Sequence, residues 1–127
     1  MKASTREWIE KAEADFISAG REYRARKLPN YDAACFFAQQ SIEKYLKARL
    51  TEEGKTFPRT HDLEALLDLL IPVEPLWETF RSALVDLTTF AVAFRYPGET
   101  ATRDMARQVV KQAGSIREQI RHDMRLN

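Results

Sequence analysis

Apolar residues recur every three or four positions along almost the whole chain, and no two-residue alternation runs long enough to make a strand. Ile9, Ala12, Phe16, Ala19 and Tyr23 form a first stripe. It predicts a helix that begins after Ser4, with Glu7 completing a capping box, and ends near Lys27 at the Leu28-Pro29-Asn30 break. Asn30 is placed to cap a second helix that runs to about Glu53 and stops at Gly54. Thr60 is expected to cap a short third helix with Asp62 and Glu64 in its first turn and Leu63, Leu66, Leu67 and Leu70 on its core face. Pro72 ends it.

A fourth helix is expected from about Pro75, and it carries two apolar stripes. Leu76, Phe80, Ala83, Leu84, Leu87, Ala91 and Phe94 follow one face. Trp77, Val85, Val92 and Tyr96 follow another, offset by about 140°. A helix that is apolar on two sides is normally buried on two sides, so one face is expected in the bundle and the other against a second subunit. Pro97-Gly98 breaks the chain, and Thr100 or Thr102 can cap a last helix whose stripe is Met105, Val109, Ala113, Ile116 and Ile120. The fold class is therefore all-α: an up-and-down bundle of four long helices plus one short helix.

Composition removes several function classes. The chain has 127 residues, 44% hydrophobic and 31% charged, which suits one core. A net charge of +1 predicts no strong overall pull toward nucleic acid or anionic membrane. Cys35 is the only cysteine and lies in an apolar stretch, so it reads as a small buried hydrophobe. The two histidines are far apart in sequence and there is no CxxC pair, so no metal site is expected. The N-terminal stretch lacks the apolar run of a secretion signal and no segment is long and apolar enough to span a bilayer, so a cytoplasmic location is expected. Glycine-rich phosphate loops, paired catalytic carboxylates and a nucleophile elbow are all missing.

The second helix raises the main question. On its wheel Gln40, Glu43, Lys44 and Lys47 cluster within about 100°, opposite Ala34, Ala38, Ser41, Ile42, Tyr45 and Leu46. A solvated face with a Glu43–Lys47 pair at i,i+4 is one account. Phe36 shares that side, however, and an aromatic there argues that the face is partly covered.

The stretches FFAQQSIEKYLKA, THDLEALL and FRYPG, in that order and preceded by WIEKAEADFISA, resemble the HEPN domain family. The motif residues are Gln40, Glu43, Lys44 and Lys47, then Thr60 to Leu63, then Arg95 to Pro97. The resemblance covers nearly the whole chain and implies one HEPN-like helical domain over residues 1–127. It also implies a compact bundle, commonly a homodimer, that partners a minimal nucleotidyltransferase in a two-component system of toxin–antitoxin type. Nucleotide binding has been proposed for the family, which directs attention to Lys44, Lys47, His61, Arg95 and Tyr96, with Gln40 and Glu43 as a supporting polar network. The nucleotide would be a ligand of unknown identity; no cofactor is expected.

Some family members are metal-independent ribonucleases that use an Arg followed four to six residues later by His. Arg117 and His122 are a literal match, but Glu118 replaces the small polar residue that should follow the arginine. Five positions along a continuous helix amount to about 500°, so the two side chains should diverge by about 140°. His61 is the other candidate acid–base group, with Arg95 as a phosphate clamp; its alternative is a structural hydrogen bond after a helix cap. Arg95 can equally be held in an internal bridge to Glu43. Arg103, Arg107, Lys111, Arg121 and Arg125 line one side of the last helix, a stripe that suits RNA or an acidic partner and equally an ordinary solvated face. The readings left open are a HEPN-like interaction module, a ribonuclease toxin, and a dimeric scaffold without a ligand.

Overall fold

The computed structural model describes residues 1–94 and 96–126. It contains α1 (Ala3–Arg24), α2 (Tyr31–Glu52), α3 (Leu63–Leu70), a 3-10 helix (Pro75–Phe80) that runs into α4 (Arg81–Ala93), and α5 (Arg103–Asp123). No strand occurs among the described residues, so the expected all-α bundle is what forms.

Side-chain contacts give the topology. The start of α1 meets the end of α2, where Thr5 donates to Glu52 at 2.9 Å, and Tyr23 meets Tyr31 at the other end, so the two helices are antiparallel. Asp32 accepts the Ala101 amide at 2.7 Å while Arg121 donates to Tyr45 at 3.0 Å, so α5 runs parallel to α2. Trp77 donates to Asp123 at 2.7 Å, which sets α4 antiparallel to α5. The order is up, down, up, down.

Helix α2 is the central member and packs against α1, α3, α4 and α5. Ala34, Cys35, Ala38, Ile42, Tyr45, Leu46, Ala48 and Leu50 are buried on it, and so are Gln39, Ser41, Glu43 and Lys47. It is enclosed on nearly every side, which is why its apolar stripe is so indistinct in sequence. The solvated-face account of Glu43 and Lys47 is thereby overturned. Cys35 is fully buried as expected, and burial, with nearby Asp32, pushes its thiol up to about 11.

Several expected boundaries are corrected. Helix α1 starts at Ala3 with no side-chain cap, because Thr5 and the Lys2 amide both bind Glu52 instead of forming a Ser4–Glu7 box. It ends at Arg24, short of Lys27. Asn30 does cap α2 through the Ala33 amide at 2.9 Å. Asp62, not Thr60, caps α3, accepting from the Glu64 amide at 3.0 Å; Thr60 accepts from the Asp62 amide and holds the cap in place. Thr102 caps α5 through the Met105 amide at 3.1 Å. Met105 is 38% exposed and Ala106 takes its place in the core stripe.

The largest revision concerns the fourth segment. Trp77 is 1% exposed and Leu76 is 82% exposed, the reverse of their expected faces. Residues Pro75–Phe80 form a 3-10 helix, which turns about 120° per residue, so Trp77 and Phe80 eclipse on one side. Their rings lie 5.7 Å apart and both enter the core, followed by Leu84 and Leu87.

Candidate functional site

Glu43 organises the polar cluster on α2. Its carboxyl is 3% exposed and accepts from Lys47 Nζ at 3.0 Å and from His61 Nδ1 at 2.8 Å. A carboxylate at that distance requires the proton on Nδ1, so Nε2 is the ring's remaining polar atom, on a side chain that is 71% exposed. The His61 carbonyl accepts from Gln39 Nε2 at 3.0 Å, and Gln40 donates to Gln39 at 2.8 Å. Backbone and ring of His61 are therefore both fixed by the second helix, from one turn before Glu43 to Glu43 itself.

Lys47 is closed off by aromatics. Its ammonium lies 5.6 Å from the Trp8 ring centroid and 5.9 Å from that of Phe57, within cation–π range. A buried ammonium needs such partners, because an unpaired charge in the interior is strongly disfavoured. Lys47 thus serves as the counter-charge of Glu43. Lys44 forms an ion pair with Asp15 of α1. Of the expected nucleotide-contacting residues, the structure joins Lys47 and His61 through Glu43, ties Lys44 to α1, and leaves Tyr96 68% exposed. Arg95 lies outside the described residues.

Beside His61 is a narrow hollow of about 30 Å³, lined by Phe36, Gln39, Gln40, Thr88, Ala91 and Val92. That volume is roughly one-tenth of the ~300 Å³ at which small-molecule pockets begin. Thr88 Oγ1 is buried there and is without a hydrogen-bond partner among the described residues. Along the same segment Val85, Val92 and Tyr96 are 40%, 52% and 68% exposed, so the second apolar face of α4 is uncovered in the single chain, while Trp77 is not part of it.

The other candidate pair sits elsewhere. Arg117 is clamped by Glu13, with Nε at 3.1 and 3.0 Å from the two carboxylate oxygens, and its guanidinium covers the Phe16 ring at 4.9 Å. Tyr45 donates to Glu13, and Arg121 donates to both Tyr45 and Glu13. Burial pushes the Glu13 carboxyl up, but the bonds from Arg117 and Tyr45 outweigh it and the net shift is downward. Burial and the bond to Glu13 raise Tyr45. His122 is 83% exposed, with Nδ1 3.3 Å from its neighbour Asp123. Arg117 and His122 border the same open depression of about 320 Å³, yet Arg117 is committed to the Glu13 clamp.

The basic side of α5 is broken up as well. Arg107 pairs with Asp104 at 3.3 Å, and Arg121 belongs to the Glu13 cluster. No group of acids, histidines and cysteines able to hold a metal occurs among the described residues.

Sequence reasoning missed Gln39, whose side chain holds the His61 carbonyl. Its signal was its position one turn before Glu43 on the side that carries Phe36. The Glu13–Tyr45–Arg117–Arg121 cluster was also missed, because its members come from three helices and no local spacing joins them.

The chain matches the HEPN domain family over residues 5–123. It belongs to that family. As a HEPN domain it also shares its fold with a solved structure, that of TT1696 from Thermus thermophilus. That likeness has a TM-score of 0.81 and 23% identity, over 95% of this chain and 98% of the other. No curated protein matches the chain. His61, Glu43 and Lys47 are thus set in a bundle whose fold is shared at low identity, and no helix of this HEPN domain, among its described residues, is long and apolar enough to cross a membrane.

Proposed function

We propose that this HEPN domain acts as an interaction module: a homodimer through the exposed face of α4, paired with a minimal nucleotidyltransferase in a two-component, toxin–antitoxin-type system. The observation that carries the reading is the exposure of Val85 and Val92 on α4, with Val92 lining the hollow beside the Glu43-held His61. Apolar residues left open on a helix whose other side is in the core suit a protein partner. A fixed imidazole at the margin of that face suits a polar anchor or the phosphate of a nucleotide carried by the partner. The hollow beside His61 is too small to enclose a nucleotide within one chain, so nucleotide contact in this reading occurs between chains.

The test is co-expression with the minimal nucleotidyltransferase encoded by an adjacent reading frame. Stable co-purification, lost in Val92→Glu and weakened in His61→Ala, supports the reading; free separation of the two wild-type proteins contradicts it.

A ribonuclease toxin is the second reading, and one observation favours it. A buried carboxylate bound to Nδ1 of an exposed histidine is the arrangement that orients a general base. Cleavage of RNA by the purified protein, abolished by His61→Ala and retained by His122→Ala, would establish this reading over the first.

A further inference from the structure

Thr88 behaves unlike the other threonines inside helices. A threonine hydroxyl within a helix ordinarily returns to a carbonyl of the preceding turn. Thr51 does so, donating to the Lys47 carbonyl at 2.8 Å, and Thr89 donates to the Val85 carbonyl at 2.9 Å. Thr88 makes no such bond: its Oγ1 is buried and has no partner among the described residues. A buried hydroxyl left without a partner costs free energy, so its presence on a packed helix marks a place where something supplies the bond. Thr88 lines the hollow beside His61.

The amides around the hollow fix which further bonds it offers. The His61 carbonyl can only accept, so Gln39 turns its Nε2 toward it, at 3.0 Å. Gln39 Oε1 is thereby left facing Gln40, which must answer with its own Nε2, at 2.8 Å; the same nitrogen lies 3.5 Å from Glu43 Oε1. Both amide orientations follow, and the Gln40 side-chain carbonyl is the acceptor left over. On His61 the Glu43 carboxylate, 2.8 Å away, holds the proton on Nδ1, which leaves Nε2 of the neutral ring as an acceptor. Gln40 and His61 line the same hollow as Thr88. One hydroxyl and two acceptors are thus gathered from α4, α2 and the segment before α3.

The volume of about 30 Å³ exceeds the ~10–15 Å³ that one water needs, and leaves no room for a larger ligand. We infer that the hollow is a binding site for a single water, which accepts from the Thr88 hydroxyl and donates to Gln40 Oε1 and His61 Nε2. Three hydrogen bonds are usual for a buried water. A small anion fits worse, because it would meet two acceptors. The water extends the Glu43–His61 pair into a hydrogen-bonded path that reaches α4, so that the imidazole is held from Nε2 as well as from Nδ1. Thr88 is then a positioning residue for His61, acting through the water. This site needs no second chain, and it stands apart from the role proposed for the exposed face of α4.

High-resolution crystallography of the full-length protein tests the site, and thermal melting reads it in solution. Density for one water within hydrogen-bond distance of Thr88 Oγ1, Gln40 Oε1 and His61 Nε2 is expected in the wild type and in Thr88→Ser, which keeps the hydroxyl, and none in Thr88→Val. Thr88→Val retains the shape of the side chain and should lower the melting temperature by about 3–5 °C through the lost bond. Removing an unpartnered hydroxyl from a dry hollow would instead leave the melting temperature unchanged or raise it. A dry hollow, a Thr88→Val protein that melts at or above wild type, or a hollow filled by a side chain of a second copy would each overturn the inference. The last of these would still support the proposed α4 interface, whereas a monomeric wild type with the water in place would support the water site and count against that interface.

Discussion

Glu43 shows how one residue sets the character of the site. Its carboxylate is buried because it neutralises Lys47 and holds His61. Replacing it with Gln leaves an ammonium enclosed by Trp8 and Phe57 with no counter-charge, and should destabilise the fold by about 3 kcal/mol. Glu43→Met/Lys47→Met should recover most of that loss in urea melts, since a buried pair is often replaceable by apolar groups of similar volume. A double variant no more stable than Glu43→Gln would contradict this account. Glu13 carries a pH signature. Its folded-state pKa is lowered, so its contribution is present above the ordinary glutamate value of about 4.3 and is lost as the pH falls through the folded value. Wild type should therefore lose stability on acidification more steeply than Glu13→Gln, and parallel acid curves for the two would count against the clamp.

At the scale of elements, periodicity was informative wherever a helix had one wet side. Helices α1, α3 and α5 follow their apolar stripes, and their ends differ from expectation by a few residues where a buried contact replaced a local cap, as Thr5 with Glu52 replaced Ser4. Helix α2 was legible as a helix but not as a buried one, because Gln39, Glu43 and Lys47 look like surface until their partners from other segments are known. Pairs such as Glu43–His61 and Glu13–Arg117 are distant in sequence, and no spacing rule brings them together. The segment before α4 failed for a different reason: the wheel assumed α-helical rotation where the chain is 3-10. Two substitutions at adjacent positions check this. Leu76→Glu, on an exposed side chain, should change stability by less than about 0.5 kcal/mol, whereas Trp77→Ala should cost about 3–5 kcal/mol. Equal costs by thermal melting would restore a regular helix from Pro75.

For the molecule as a whole, the bundle leaves one long helix half-covered. Leu84 and Leu87 face the core, while Val85 and Val92 face away from it. In a chain with 31% charged residues, an apolar strip at the edge of a buried acid–histidine unit is the natural place for a second polypeptide to sit. Light scattering on the purified protein at micromolar concentration measures this most directly. The account predicts the mass of a dimer for wild type and of a folded monomer for Val92→Glu; a wild-type chain that stays monomeric across that range would contradict it.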